Sequence, residues 1–156
     1  MPIAAVLVAL LLAVAAPAEA GDWADGLEAY DGGDYARAVA LWRRAAEGGN
    51  LDAMTAIADA HARGLGAAPD LSSAAVWFRR AAERGHAVAQ LNLGDMLSRG
   101  AGVERDLGEA YMWLGLAAAS GNAWAARRQA ELGETMTAEA RTAAEGRIRA
   151  WRPRTD

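Results

Sequence analysis

Two histidines, His61 and His86, are the side chains in this sequence best suited to acid–base or metal chemistry. They stand 25 residues apart, the chain contains no cysteine, and no carboxylate falls at ligand spacing from either. Thiolate chemistry and disulfides are thereby excluded, and neither a zinc set nor a histidine-paired nucleophile can be assembled from neighbours in sequence. The glycine pairs Gly64/Gly66 and Gly100/Gly102 follow helical patterns rather than strands, so they read as loops and not as phosphate cradles. No catalytic residue, metal ligand or cofactor contact is therefore assigned, and the expectation is a protein that is not an enzyme. What remains is charge. Asp59 with Arg63, and Asp95 with Arg99, are acid-before-base pairs four residues apart. Such a pair supports an exposed helix by about 0.3 to 0.5 kcal/mol. The functional alternative is a polar ladder that meets a partner.

The elements that carry these pairs repeat. Sliding the chain by 36 positions superposes residues 51–86 on 87–122 without a gap, and twelve positions are then identical, among them Asp59/Asp95, Arg63/Arg99, Gly64/Gly100, Gly66/Gly102, Asp70/Asp106 and Trp77/Trp113. A period of this length points to a solenoid. Within the unit at 51–86, a proline-free helix over 52–63 stops at Gly64 and Gly66, Pro69 bars helix through the loop, and Asp70 caps a second helix to about residue 84. The unit at 87–122 repeats this grammar. A shorter unit at 21–50 has a tight turn at Gly32, Gly33 and Asp34 before a helix over 35–47. Residues 123–133 read as a further first helix, Thr137 as an N-cap, and 138–151 as a capping helix with a polar outer face, the array being 21–152 with a tail at 153–156. With β-branched and aromatic strand formers scarce, the fold class is all-α: a right-handed α-solenoid of about three helix-turn-helix repeats plus a C-terminal cap. In it Trp77 and Trp113 fill the gap toward the next unit, and His61, aligned with Tyr30 and Leu97, sits at a core position. His86 aligns with Asn50 and Asn122 in the turn between units.

Ahead of the array, residues 3–16 are an unbroken apolar run followed by Pro17 and by Ala18 and Ala20 in a small-x-small pattern. This reads as a signal peptide over 1–20, cleaved after Ala20. Fourteen residues at 1.5 Å rise reach about 21 Å, short of a roughly 30 Å hydrocarbon core, so no stable membrane span is expected. Without a cysteine the mature chain is not a lipoprotein, and the expected location is periplasmic or secreted.

The net charge of −4 disfavours nucleic acid as a partner. All sixteen basic residues are arginine, which suits carboxylate or phosphate recognition but also follows from codon bias in an alanine-rich chain. The array begins acidic, with Asp22, Asp25, Glu28, Asp31 and Asp34, and ends basic, with Arg141, Arg147, Arg149, Arg152 and Arg154. These are solvated end faces, or else they support head-to-tail self-association or docking of the tail on anionic lipid.

The unit over 89–121, AQLNLGDMLSRGAGVERDLGEAYMWLGLAAASG, resembles the Sel-one-like repeats of the tetratricopeptide-repeat superfamily, with their Leu-Gly pair, GxGV loop, capping Asp, Ala and Trp, and AAxxG end. The unit at 51–86 departs from the pattern, with Ile57-Ala58 for Leu-Gly and Ala67 where Val103 stands. The resemblance implies a bacterial interaction scaffold, with another protein as partner, such as a membrane signalling or secretion component. By analogy with tetratricopeptide units, the first helices line a groove that shows Glu28 and Asp31, then Thr55, Asp59 and Arg63, then Leu91, Asp95 and Arg99. A reading from another class is a cell-wall-associated enzyme or a peptidoglycan- or β-lactam-binding protein.

Overall fold

The computed structural model describes residues 18–155; residues 1–17 of the expected signal peptide lie outside the described residues. Among the described residues there are eight α-helices and no strand: α1 (Ala18–Asp31), α2 (Tyr35–Glu47), α3 (Leu51–Arg63), α4 (Leu71–Glu83), α5 (Ala87–Arg99), α6 (Leu107–Ala119), α7 (Ala123–Glu134) and α8 (Ala138–Ala150). The first six pair as hairpins α1–α2, α3–α4 and α5–α6, and each second helix packs both on its own first helix and on the first helix of the next hairpin.

The boundaries follow from capping chemistry. From α2 onward every helix begins on a side chain that accepts the backbone N–H three residues ahead: Asp34, Asn50, Asp70, His86, Asp106, Asn122 and Thr137. Each such cap stabilises its helix by about 1 kcal/mol. His86 is the unusual member. Its Nδ1 accepts the Ala89 N–H at 3.3 Å, where Asn50 and Asn122 use their amide oxygens toward Ala53 and Ala125 at 2.8 and 2.9 Å.

The loops that follow α3 and α5 do more than reverse the chain. Gly66 and Gly102 have φ of +80° and +71°, and a Cβ on Gly102 would stand 2.3 Å from the Leu71 carbonyl oxygen, while one on Gly66 would stand 2.9 Å from the Ala36 nitrogen. Each loop therefore lies on the first turn of the preceding hairpin's second helix. Both the backbone conformation and the close approach require glycine there.

Small residues set the helix spacing. Ala38, Ala45, Ala53, Ala74, Ala81, Ala89, Ala110 and Ala117 are completely buried, around the larger Trp42, Ile57, Phe78, Leu93 and Leu114. In the third hairpin Gly94 lets Leu114 of α6 come so close that a Cβ would be 2.8 Å from its Cγ. Ala58 holds the matching place in the second hairpin, and Phe78 stands at the register of Leu114, both of them buried.

The two expected wedge tryptophans differ. Trp113 is 3% exposed and packs edge to face on Trp151, with ring centroids 6.4 Å apart. Trp77 is only half-buried: it lines an open cleft with Ala46 and Met54, under the guanidinium of Arg80, rather than filling a gap toward the next unit. The difference arises at the C-terminus. Helix α8 packs on α6 instead of pairing with α7 as a fourth hairpin would. The chain then runs back across the turn at Gly85, and the Arg154 N–H donates to the Glu83 carbonyl at 2.8 Å. Residues 151–154 are thus a docked strap, which takes in the end of the expected cap and the start of the tail expected at 153–156. His61 also departs from expectation. It is half-buried at a cleft, whereas Leu97 at the same register is 2% exposed in the core.

Candidate functional site

The stripe that the sequence assigns to binding recurs every four residues along each first helix, with Thr55, Asp59 and Arg63 on one face of α3 and Leu91, Asp95 and Arg99 on one face of α5, and Asp52 and Val88 stand three residues before it at the same register. Both expected intrahelical pairs form, Asp59–Arg63 at 2.9 Å and Asp95–Arg99 at 3.1 Å.

The structure adds partners from neighbouring helices that the sequence did not reveal. Arg63 also donates to the Tyr30 hydroxyl of α1 at 3.3 Å. The Asp59 carboxylate, then that hydroxyl, hold the Arg63 guanidinium charged above its already high ordinary range. Between α3 and α5, His86 places Nδ1 3.0 Å from the Thr55 hydroxyl and Nε2 3.0 Å from Asp52. Because Nδ1 accepts the Ala89 N–H, the neutral ring carries its proton on Nε2 and donates it to Asp52. Between α5 and α7, Arg128 joins Asp95 at 3.2 Å and Glu131 at 2.7 Å, with its guanidinium 5.7 Å from the Trp124 ring centre. One polar seam thus stitches each first helix to the next.

This seam separates the expected binding residues into two kinds. Thr55 and Asp95 are structural: the one Thr55 hydroxyl proton lies between two acceptors, the Leu51 carbonyl and His86 Nδ1, and the Asp95 side chain, 22% exposed, is shared by two arginines. The two aspartates, equivalent by repeat position, are therefore not equivalent in cost. Reversing Asp95 would strip Arg128 of a partner, whereas Asp59 and Arg63 are both about half-exposed. Arg99 is exposed and Leu91 partly buried. Glu28 and Asp31 are exposed, and Glu28 lines a cavity of about 320 Å³ with Asp25, Asp34 and Arg37 at the start of the array. The sequence reading omitted Val88 and Trp124. These two stand 36 residues apart at the same repeat position on α5 and α7, each about half-exposed. Their common register was the signal that could have found them.

The charged ends are partly used within the chain. Asp22 forms an ion pair with Arg44 at 2.6 Å, Asp34 caps α2, and Arg154 pairs with Glu83 at 3.2 Å. Among the described residues no three His, Asp or Glu side chains converge as a metal site, and no helix is long and apolar enough to cross a membrane.

A family model described as the Sel1 repeat matches residues 23–50, 51–86 and 87–122. Two solved structures share the arrangement. One is a protective antigen of uropathogenic Escherichia coli with an SLR fold, 28% identical, with a TM-score of 0.80 over 85% of this chain and 29% of that one. The other is a Sel1 repeat protein from Oxalobacter formigenes, also 28% identical, with a TM-score of 0.64 over 69% of this chain and 46% of that one. The chain thus spans less than half the length of either. No curated protein matches the sequence. Sel1 repeat proteins serve as protein–protein interaction scaffolds, and the fold is typically non-catalytic. With three matched repeats on a solenoid of capped helical hairpins, the chain belongs to the Sel1 repeat family.

Proposed function

We propose that this protein is exported to the periplasm or secreted, and that it acts there as an adaptor that holds a partner protein against the face of its first helices, with no chemistry of its own. The observation that carries the reading is the composition of that face. Half-exposed apolar groups, Val88 and Trp124, sit at one repeat position of the first helices, which also carry the half-exposed Asp59–Arg63 pair and the exposed Arg99 side chain. Exposed aromatic and arginine side chains on a rigid support are the groups that dominate binding energy at protein interfaces. The polar seam makes the support rigid, since each first helix is hydrogen-bonded to its neighbour. Export rests on the apolar run at 3–16 and on Ala18 and Ala20.

Fractionation tests the location: mature protein beginning at Gly21 is expected in the soluble periplasmic or culture fraction. An intact N-terminus in the membrane pellet would contradict it. Capture from the same fraction on immobilised protein tests the adaptor role, with one protein expected in stoichiometric amount.

A further inference from the structure

The joint between the second and third hairpins and the joint between the first and second each leave a cleft, of about 390 and 370 Å³, and they differ in what answers the guanidinium beside it. At the former, Leu97 and Ala75 are each 2% exposed, Val103 packs on the core, and Arg79 crosses from α4 to pair with Glu109 of α6. Clefts beside it carry Glu83 and Glu109 together with Arg79, so the cation there is answered by acids.

Thirty-six residues earlier the arginine is kept but the groups around it change. His61 stands for Leu97, Val39 for Ala75, Ala67 for Val103, Arg43 for Arg79, and Ser73 for Glu109. Serine cannot neutralise a guanidinium, and the Ser73 hydroxyl is in any case turned to Asp70 at 2.6 Å. Arg43 forms no ion pair among the described residues. The His61 ring makes no hydrogen bond among them either, and it stands near enough to contribute, last among several causes, to the lowering of the Asp70 carboxyl. That carboxylate is held by the Ser73 hydroxyl and N–H. The cleft of about 370 Å³ at this joint has walls from Val39, Ala40, Leu65 and Ala67, with Arg43 and His61 on its lining.

An apolar wall beside an uncompensated guanidinium complements an apolar side chain attached to a carboxylate. The volume is at the low end for ligand sites, enough for the last residue or two of a chain. We propose that this cleft binds the C-terminal end of a polypeptide that finishes on an apolar residue, its carboxylate on Arg43 and His61 and its side chain against Val39, Leu65 and Ala67. A chain end is favoured because it carries both groups on one residue. The cleft lies between α2 and the loop after α3, so the inference does not depend on what the first-helix face binds.

The test is amide NMR of the whole protein titrated with acetyl-Gly-Gly-Leu as the free acid, with its C-terminal amide, and with hexanoate. Saturable shifts at Ala40, Ala60 and Ala67 are expected with the free acid, weakened at least about tenfold for the amide. Arg43→Glu, at an exposed position, should abolish them. So should the double variant His61→Leu with Ala67→Val, which installs the residues of the next repeat and should leave the melting temperature at or above that of the parent. Absence of saturable shifts would overturn the proposal, as would equal binding of acid and amide, retention of binding in both variants, or hexanoate binding as tightly as the peptide.

Discussion

Trp113 is where the solenoid, its cap and its strap meet, and replacing it with alanine should be felt in all three. The ring is almost wholly buried, donates its Nε1–H to Glu109 at 3.0 Å, and receives Trp151 on its edge. A buried tryptophan removes roughly 200 Å² from water, which at about 25 cal/mol per Å² is about 5 kcal/mol. Allowing for what alanine retains and for partial collapse of the cavity, the loss should be about 3 to 5 kcal/mol. Trp113→Phe keeps most of the area and loses the N–H bond to a charged acceptor, so it should cost about 1.5 to 3 kcal/mol. Urea unfolding followed by far-UV circular dichroism gives both values. Because neighbouring units stabilise one another in a solenoid, Trp113→Ala should also free residues 151–154, seen as faster tryptic cleavage after Arg154, the Arg152–Pro153 bond being resistant, at concentrations of urea where the array is still folded. A loss below about 1 kcal/mol, with unchanged cleavage, would show that the ring does not join the third hairpin to the strap.

Other consequences follow from the same contacts. Gly102→Ala should destabilise more than Gly121→Ala: both have positive φ, but only at Gly102 would the new Cβ meet a backbone carbonyl, at 2.3 Å, while Gly121 has nothing within 4 Å. Equal melting temperatures for the two would mean that the loop is not seated on α4. Burial pushes the Glu109 carboxyl upward, but the Arg79 guanidinium, the Trp113 N–H and the more distant Arg147 together bring it below the ordinary carboxylate range. A lowered folded value stabilises the protein above the unfolded value of about 4.3 and is lost as the pH falls through the folded one. The stability gap between the parent and Glu109→Gln should therefore be constant near neutrality and shrink on acidification. A gap that widens in acid would reverse the assignment.

Much of the fold was legible because helix boundaries here are written in local chemistry. Asp34, Asp70, Asp106, Asn50 and Asn122 cap by reaching three residues ahead, and Gly64 and Gly100 end helices through a left-handed φ, so sequence neighbours suffice to place them. His86 was placed by its register with two asparagines, although imidazole is an uncommon cap. What local reading missed depends on residues far apart in the chain. Trp151 reaching Trp113, Arg154 reaching Glu83, and Arg128 reaching Asp95 leave no periodic trace. The open cleft at His61 was missed for a related reason. Alignment assigned the residue the burial of Leu97, but burial also depends on neighbours distant in sequence, and His61 shares a cleft with Ala36, Val39 and Arg43 of α2. On the binding face, repeat symmetry suggested that Asp59 and Asp95 would be alike, and a single arginine from α7 makes them different.

The adaptor reading is tested most directly by capture from periplasmic extract on three immobilised forms in parallel: the parent, a first-helix-face variant carrying Asp59→Arg and Trp124→Ala, and Arg80→Glu on a second helix. Both sites in the first variant are about half-exposed, so circular dichroism should show an intact fold. A misplaced charge and a lost aromatic anchor in a desolvated interface should together weaken binding by several kcal/mol. One protein recovered in stoichiometric amount by the parent and by Arg80→Glu, and lost from the first-helix variant, is the predicted result. Equal recovery by all three forms, or no stoichiometric partner on the parent, would contradict it.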